Sequence, residues 1–498
     1  MSHVTLDPKA ATDDASDTGR TALDQWPPAE PATRRVLIAV AVIGVVGDAA
    51  LRSDVVSYAG GSAAVVGSIA LLATGRFRTR QSQALVVASG LFGVWLGLRT
   101  SPWLIPFDVF AVGLLLVLAA FVARSGNIFD LTPLAFARRG GESSIECFDV
   151  PGFLVAPTRG SRLGVIARGV GIAAPVLAVV IALLASADRV FASLIGFDRL
   201  DAPDVGAHVT YFIMAVLAAG AVVRVASSEV PLAGARPRRA IGEAEASVVL
   251  IALSAVLAVF GLAQLVDLVD AEDSVTGVEH AEYARSGFFQ LLFVAAIVVL
   301  VVLGARAIAH PFGSVGGGRL RRFGVATCTL TLPVVAVSVV RLARYQDEFG
   351  LTMLRLYSTV AAVVIGVLLV LVALALGGVG GGRSWLPGAF VTVGLVALFG
   401  LNVANPEAIV ARVNLERDDP IVAVDGRYLS ALSDDAIPTI VARLDRLDGP
   451  GRTVLVTELC ADRSRPSRGL AGHRSRGQAD DALRALCPPL PFTPEIRG

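Results

Sequence analysis

Long apolar runs alternate with short polar breaks along most of this chain. The runs lack the regular polar positions of a helix packed on a water-soluble core. Eleven stretches approach the length that crosses about 30 Å of hydrocarbon: 36–52, 55–75, 83–99, 103–123, 168–187, 206–224, 246–267, 287–305, 323–343, 356–377 and 385–402. In lipid every backbone N–H and C=O needs a partner within its own segment, so these runs predict helices. The expected fold class is all-α: a polytopic integral membrane bundle of about 11 transmembrane helices with a small extracytoplasmic C-terminal helical region. The polar stretches divide the rest into a disordered cytoplasmic tail (1–33), the spanning domain (34–402), a helical segment (403–460) and a disordered tail (461–498).

Composition agrees with a membrane assignment. The 498 residues are 54% hydrophobic and only 17% charged, with a mean hydropathy of +0.68, whereas soluble domains carry about 25% charge. A net charge of +1 suggests no nucleic-acid partner. The first 33 residues lack the apolar core of a secretion signal. Lys9 is the only lysine, which points to a GC-rich bacterial genome and leaves arginine to orient the chain. Arg76, Arg78, Arg80, Arg124, Arg138, Arg139, Arg224, Arg306, Arg319, Arg321 and Arg322 all fall in one set of connections. The alternate set holds far fewer, among them Arg52, Arg99, Arg285, Arg341, Arg344 and Arg355. Positive residues stay in the cytoplasm, so the sequence places the protein in the bacterial plasma membrane with its N-terminus inside and its C-terminus outside.

Orientation then decides which side chains are of interest. Between spans nine and ten lies RYQDEFGLTMLRLY, and before span eight lies HAEYARSGFFQ. With Arg341 on the last turn of span nine, they supply a candidate outer-face polar cluster: Glu282, Arg285, Gln290, Arg341, Arg344, Asp347, Glu348 and Arg355. Charges this near hydrocarbon are tolerable when they pair or snorkel, so an Arg–carboxylate rim is expected. Asp48, Arg99, Asp108 and Asn402 also map to outer helix ends, and the mid-membrane stretches hold no Lys, Arg, Asp or Glu. No catalytic constellation emerges. The acidic loop Asp267–Asp273 lacks the alternating ligands of a calcium loop, and the GGGR runs lack a phosphate-loop ending, so no metal or cofactor is expected. Cys460 and Cys487 lie outside, where oxidation is permitted, and are candidates for a disulfide. In the C-terminal segment, helices are expected from Pro406 to Arg417 and from near Ser433, and Thr453–Glu458 (TVLVTE) reads as a strand.

Four elements in order carry a resemblance. Glu282, Tyr283, Arg285, Gly287, Phe288 and Gln290 form the first, and Tyr345, Gly350, Leu351, Thr352, Arg355 and Tyr357 the second. Asn405, Pro406 and Asn414 form the third, and Tyr428, Leu429, Ser433, Asp435 and Pro438 the fourth. Over roughly 165–440 the chain resembles a family of bacterial polytopic membrane proteins, domain of unknown function 4153, with a close relative numbered 4173 (DUF4153/DUF4173). The resemblance implies a fold and a membrane location, and no activity.

Three function classes remain open on the sequence. One is a non-enzymatic envelope scaffold, sensor or regulatory component. The second is a transporter or channel, disfavoured by charge-free midplanes. The third is an enzyme acting on a lipid-linked or cell-wall substrate at the outer leaflet. The expected partners are the lipid bilayer and an envelope protein or lipid.

Overall fold

The computed structural model describes residues 30–53, 55–130, 133–155, 202–228, 241–270, 277–310, 318–380, 385–417, 425–447, 449–461 and 472–487. Apolar helices dominate: α1 (Arg34–Ser53), α2 (Tyr58–Ala73), α3 (Arg80–Leu98) and α4 (Ile105–Phe121). Two shorter helices, α5 (Pro133–Phe148) and α6 (Val150–Val155), precede α7 (Ala202–Ala226). Then come α8 (Glu243–Asp270), α9 (Gly277–Ile308), α10 (Gly318–Phe349), α11 (Met353–Gly377) and α12 (Leu386–Ala404). The C-terminal part is α13 (Pro406–Leu415), α14 (Gly426–Ser430), α15 (Ile437–Val441), α16 (Pro450–Ala461) and α17 (Arg474–Leu486). A two-residue parallel pairing, Ile241 with Ala309 and Gly242 with His310, ties the start of α8 to the end of α9. Eight described helices are long and apolar enough to span a membrane, and α2 and α4 are shorter apolar helices. The molecule is an all-α membrane helix bundle. The expected span 168–187 lies outside the described residues.

Local chemistry sets the helix ends. Ser57 caps α2 by accepting hydrogen bonds from the Ala59 and Gly60 amides, and Thr79 and Thr352 do the same for α3 and α11. Asn405 ends α12 and caps α13 from a left-handed conformation (φ 57°), which asparagine tolerates better than most residues. α10 keeps Pro333 inside it; the hydroxyls of Thr327 and Thr331 each donate to the carbonyl four residues back, so polar atoms at mid-helix are satisfied within the helix.

Two apolar cores result. The first joins α1–α4 and α7 around Val36, Val86, Leu115 and Val223, and the second joins α8–α11 around Leu250, Val298, Ala362 and Leu369. α12 belongs to both: Val391, Leu395 and Leu398 pack on the first, while Leu386 and Phe390 pack on the second. A third core, centred on Leu429, Ile440 and Leu455, lies within α13–α17 and gives this C-terminal cap a fold of its own. Burying each such side chain contributes roughly 1.5–3 kcal/mol, so the cap holds together by apolar packing.

The ends of the bundle can be told apart. α6 packs on the last turns of α7, with Val150 and Leu154 beside Gly220. The start of α7 lies at the other end, where His208 meets Asp48 of α1 at 2.6 Å. Residues 155 and 202 therefore sit at opposite ends of the bundle. Residue 30 lies at the α6 end, bonded to Ser227, and the cap covers the other.

Three expectations for the C-terminal region need correction. Thr453–Glu458 belongs to helix α16, not a strand. Its β-branched residues favour strand locally, but Leu455 and Leu459, one turn apart, bury in the cap core, and tertiary packing overrides propensity. Residues 472–487, expected in a disordered tail, include α17, with Ala479 and Leu483 in the same core and Cys487 bonded to Cys460 of α16. The helix expected from Ser433 starts only at Ile437, because Ser433 and Asp435 turn their side chains to distant partners.

Candidate functional site

The cap meets the bundle through a buried polar cluster. Arg99, the C-cap of α3, donates through Nε and Nη2 to the Asn402 carbonyl at 3.0 and 2.6 Å and lies 3.7 Å from Asp435 Oδ1. Asp435 Oδ2 accepts the Thr100 and Ser101 amides at 3.1 and 3.0 Å. The Ser475 hydroxyl donates to Leu98 O at 2.7 Å and also reaches Asp435 Oδ1. Glu407, in the first turn of α13, accepts from Ser101 Oγ at 2.7 Å and from the Ser433 amide at 2.6 Å. Asn402 donates to Asp108 at 2.7 Å, and Asn405 donates to Asp435 O at 2.9 Å. Ser101, Asp108, Asn402, Glu407 and Asp435 are each at most 4% exposed. Burying so many carboxyl groups is tolerable only because each accepts hydrogen bonds from defined donors.

His473 completes the seam. Its Nε2 lies 3.2 Å from Leu96 O and its ring stacks on Tyr58, while Nδ1 has no hydrogen-bond partner among the described residues. Burial pushes the imidazole below the usual histidine range, against the pull of Asp435. Burial pushes Glu407 upward, against the hydroxyl and amide donors that favour its carboxylate. The two act in opposite directions with pH. A depressed histidine gives stability that is fully present above its unfolded value, about 6.5, and is lost as pH falls through the folded value. A raised carboxyl gives stability that is present below its unfolded value and lost as pH rises. Acidification from pH 7 to 5.5 is therefore expected to weaken cap docking through His473. His473→Gln should flatten that limb when cap release is followed by protease sensitivity of residues 449–487; an unchanged limb would contradict the assignment.

On the α10–α11 side the cap is held by main-chain recognition. Asn414 accepts from the Leu351 amide at 3.0 Å and donates to its carbonyl at 2.6 Å, and Tyr428 Oη accepts the Met353 amide at 2.8 Å. Gly350 sits between them at φ +77°, where a Cβ would lie 2.5 Å from Asn414 Oδ1, so the position requires glycine.

The described members of the outer-face set named from the sequence, Gln290, Arg341, Arg344, Asp347, Glu348 and Arg355, lie on α9, α10 and α11. Arg355 donates to the Phe349 and Gly350 carbonyls and lies 4.3 Å from the Tyr345 ring centroid. Arg417 donates to the Asp347 and Glu348 carbonyls, while those two carboxylates and Arg344 are exposed. The guanidinium groups cap the orphan carbonyls of a helix end, where the macrodipole favours cations. Arg341 is half-buried and Gln290 is exposed on α9. Glu282 and Arg285 lie on α9, three residues apart, with side chains outside the described residues. Beneath the cap, Arg99, Asp108, Asn402, Glu407 and Asp435 converge.

A family model described as Domain of unknown function (DUF4153) matches residues 86–442. The chain belongs to the DUF4153 family. The DUF4153 match takes in Arg99, Asp108, Asn402, Glu407 and Asp435, and ends before His473, Ser475 and the Cys460–Cys487 bond. No curated protein matches the chain. No solved structure matches it either. Among the described residues of this DUF4153 protein no group of three or more His, Cys, Asp or Glu side chains is arranged to hold a metal ion.

Proposed function

We propose that this DUF4153 protein is a non-enzymatic component of the bacterial cell envelope, a scaffold or sensor whose C-terminal cap presents an extracytoplasmic face. The arginine distribution supports a cytoplasmic N-terminus and an outward cap. One observation carries the scaffold reading. The cap is bonded to the end of α3 by Asp435 and Ser475 and to the start of α11 by Asn414 and Tyr428, so it fixes both bundles at once. The buried Arg99, Glu407 and Asp435 at this end hold cap to bundle. Rocking of one bundle against the other, the usual basis of alternating access, would have to break that seam.

A crosslink separates the two readings. The hydroxyls of Thr100 and Ser433 lie 3.4 Å apart, so a Thr100→Cys/Ser433→Cys pair locks the cap to the α3–α4 connection. A scaffold is expected to restore the growth of a deletion strain under osmotic and detergent stress equally well with this lock oxidised or reduced. A gated transporter restores growth only with reductant, and that result would overturn the proposal.

A further inference from the structure

The opposite end of the bundle holds an unusual convergence. Glu30, four residues before the first of the two arginines that open α1, places its carboxylate among three guanidinium groups. Arg76 Nη1 lies 2.5 Å from Oε2, Arg124 Nη2 lies 2.8 Å from Oε2, and Arg78 Nη2 reaches Oε1 and Oε2 at 3.0 and 3.2 Å. The cradle is rigid. Gly75 turns the α2–α3 connection at φ +70°, Ala123 O accepts the Arg78 and Thr79 amides, and Pro31 O accepts from Arg76 Nη2. Arg76 and Arg124 are 4% and 9% exposed, whereas Arg78 and Glu30 are 55% and 42% exposed, so the cradle has a closed floor and an open mouth. The Arg124 hydrogen bond and the neighbouring guanidinium charges hold the Glu30 carboxyl below its ordinary range.

Three guanidiniums on one carboxylate form a cradle suited to an oxyanion with more oxygens than a carboxylate has. Arginine forks match phosphate oxygens, and basic pockets between helix ends on the cytoplasmic side bind lipid headgroups. The mouth opens at the bundle end formed by the start of α1, the α2–α3 connection and the end of α4. We propose that Arg76, Arg78 and Arg124 form a binding site for the phosphate of an anionic phospholipid in the adjacent leaflet, with Glu30 as an internal competitor for the same guanidiniums. The inference rests on the membrane-spanning reading and is independent of the scaffold role.

The test uses the full chain in detergent, titrated with phosphatidylglycerol, phosphatidylcholine or inorganic phosphate, with bound lipid counted by native mass spectrometry. Wild type should retain phosphatidylglycerol over phosphatidylcholine. Arg78→Gln, an exposed substitution that leaves the buried floor intact, should weaken that retention about fivefold. Glu30→Gln should strengthen it, while Glu142→Gln, which makes the same charge change elsewhere among the arginines near that end, should not. Equal retention of the two lipids, or no response to Arg78→Gln, overturns the proposal. Protection by inorganic phosphate without lipid discrimination overturns the lipid assignment and keeps a soluble phosphate compound as the ligand.

Discussion

Asp435→Ala is expected to release the C-terminal cap from the bundle while leaving the spanning helices folded. The carboxylate accepts the Thr100 and Ser101 amides, receives Ser475, and faces Arg99. Truncation leaves the Thr100 and Ser101 amides without their acceptor and the guanidinium with the Asn402 carbonyl and the Trp95 ring. Removing one partner of a buried charge pair costs about 3–5 kcal/mol. The lower figure applies here, since Arg99 keeps its bonds to Asn402. Asp435→Asn should cost less, because the amide oxygen still accepts one N–H. The neighbouring Asp434 pairs with Arg476 at the surface, at 3.2 Å with both partners partly exposed, and Asp434→Ala should change stability by about 1 kcal/mol or less. Limited proteolysis and thermal melting in detergent read the difference. Equal behaviour of the two alanine variants would refute the clamp.

The second large effect lies at the other end. Arg139 and Glu146, seven residues apart on α5, pair at 3.0 Å with 3% and 1% exposure. Arg139 also donates to Ser228 Oγ at 2.8 Å, and Ser228 in turn donates to Glu146 at 3.1 Å, which fastens α5 to the end of α7. Glu146→Gln leaves a buried guanidinium without its counter-charge and should cost roughly 3–5 kcal/mol. Replacing both partners with leucine removes both desolvation costs together, so the double variant should melt closer to wild type than either single one. Additive losses in the melting series would show that the pair is not coupled.

Much of the bundle was legible because the membrane imposes a strong rule on sequence. The apolar runs 36–52, 356–377 and 385–402 correspond to α1 (Arg34–Ser53), α11 (Met353–Gly377) and α12 (Leu386–Ala404) within a few residues. α9 and α10 begin earlier than their apolar runs because helix continues into polar flanks: Gly277 rather than 287, and Gly318 rather than 323. The site was harder to read. Arg99, Asp108 and Asn402 stood out as polar residues at outer helix ends, and Asp435 stood out only as part of the family resemblance, while nothing singled out Glu407. Their partners lie some three hundred residues away, Ser101 for both, and no local periodicity encodes such pairing. His473 and Ser475 lie in an Arg- and Gly-rich stretch whose composition suggests disorder, yet the cap core and the Cys460–Cys487 bond hold α17 in place. Arg355 was visible as a charge, but its use on helix-end carbonyls was not, since Asp347 and Glu348 close by in sequence suggested an ion pair.

Hydrogen exchange on the protein in lipid nanodiscs tests the clamp most directly. The amides of Thr100, Ser101, Leu351 and Met353 each donate to a side chain of the cap. They are expected to exchange slowly and with one common protection, and Asp435→Ala should collapse that protection at Thr100 and Ser101. Free exchange of Thr100 and Ser101 in the wild type, with α3 and α4 still protected, would mean that the cap does not hold the two bundles together.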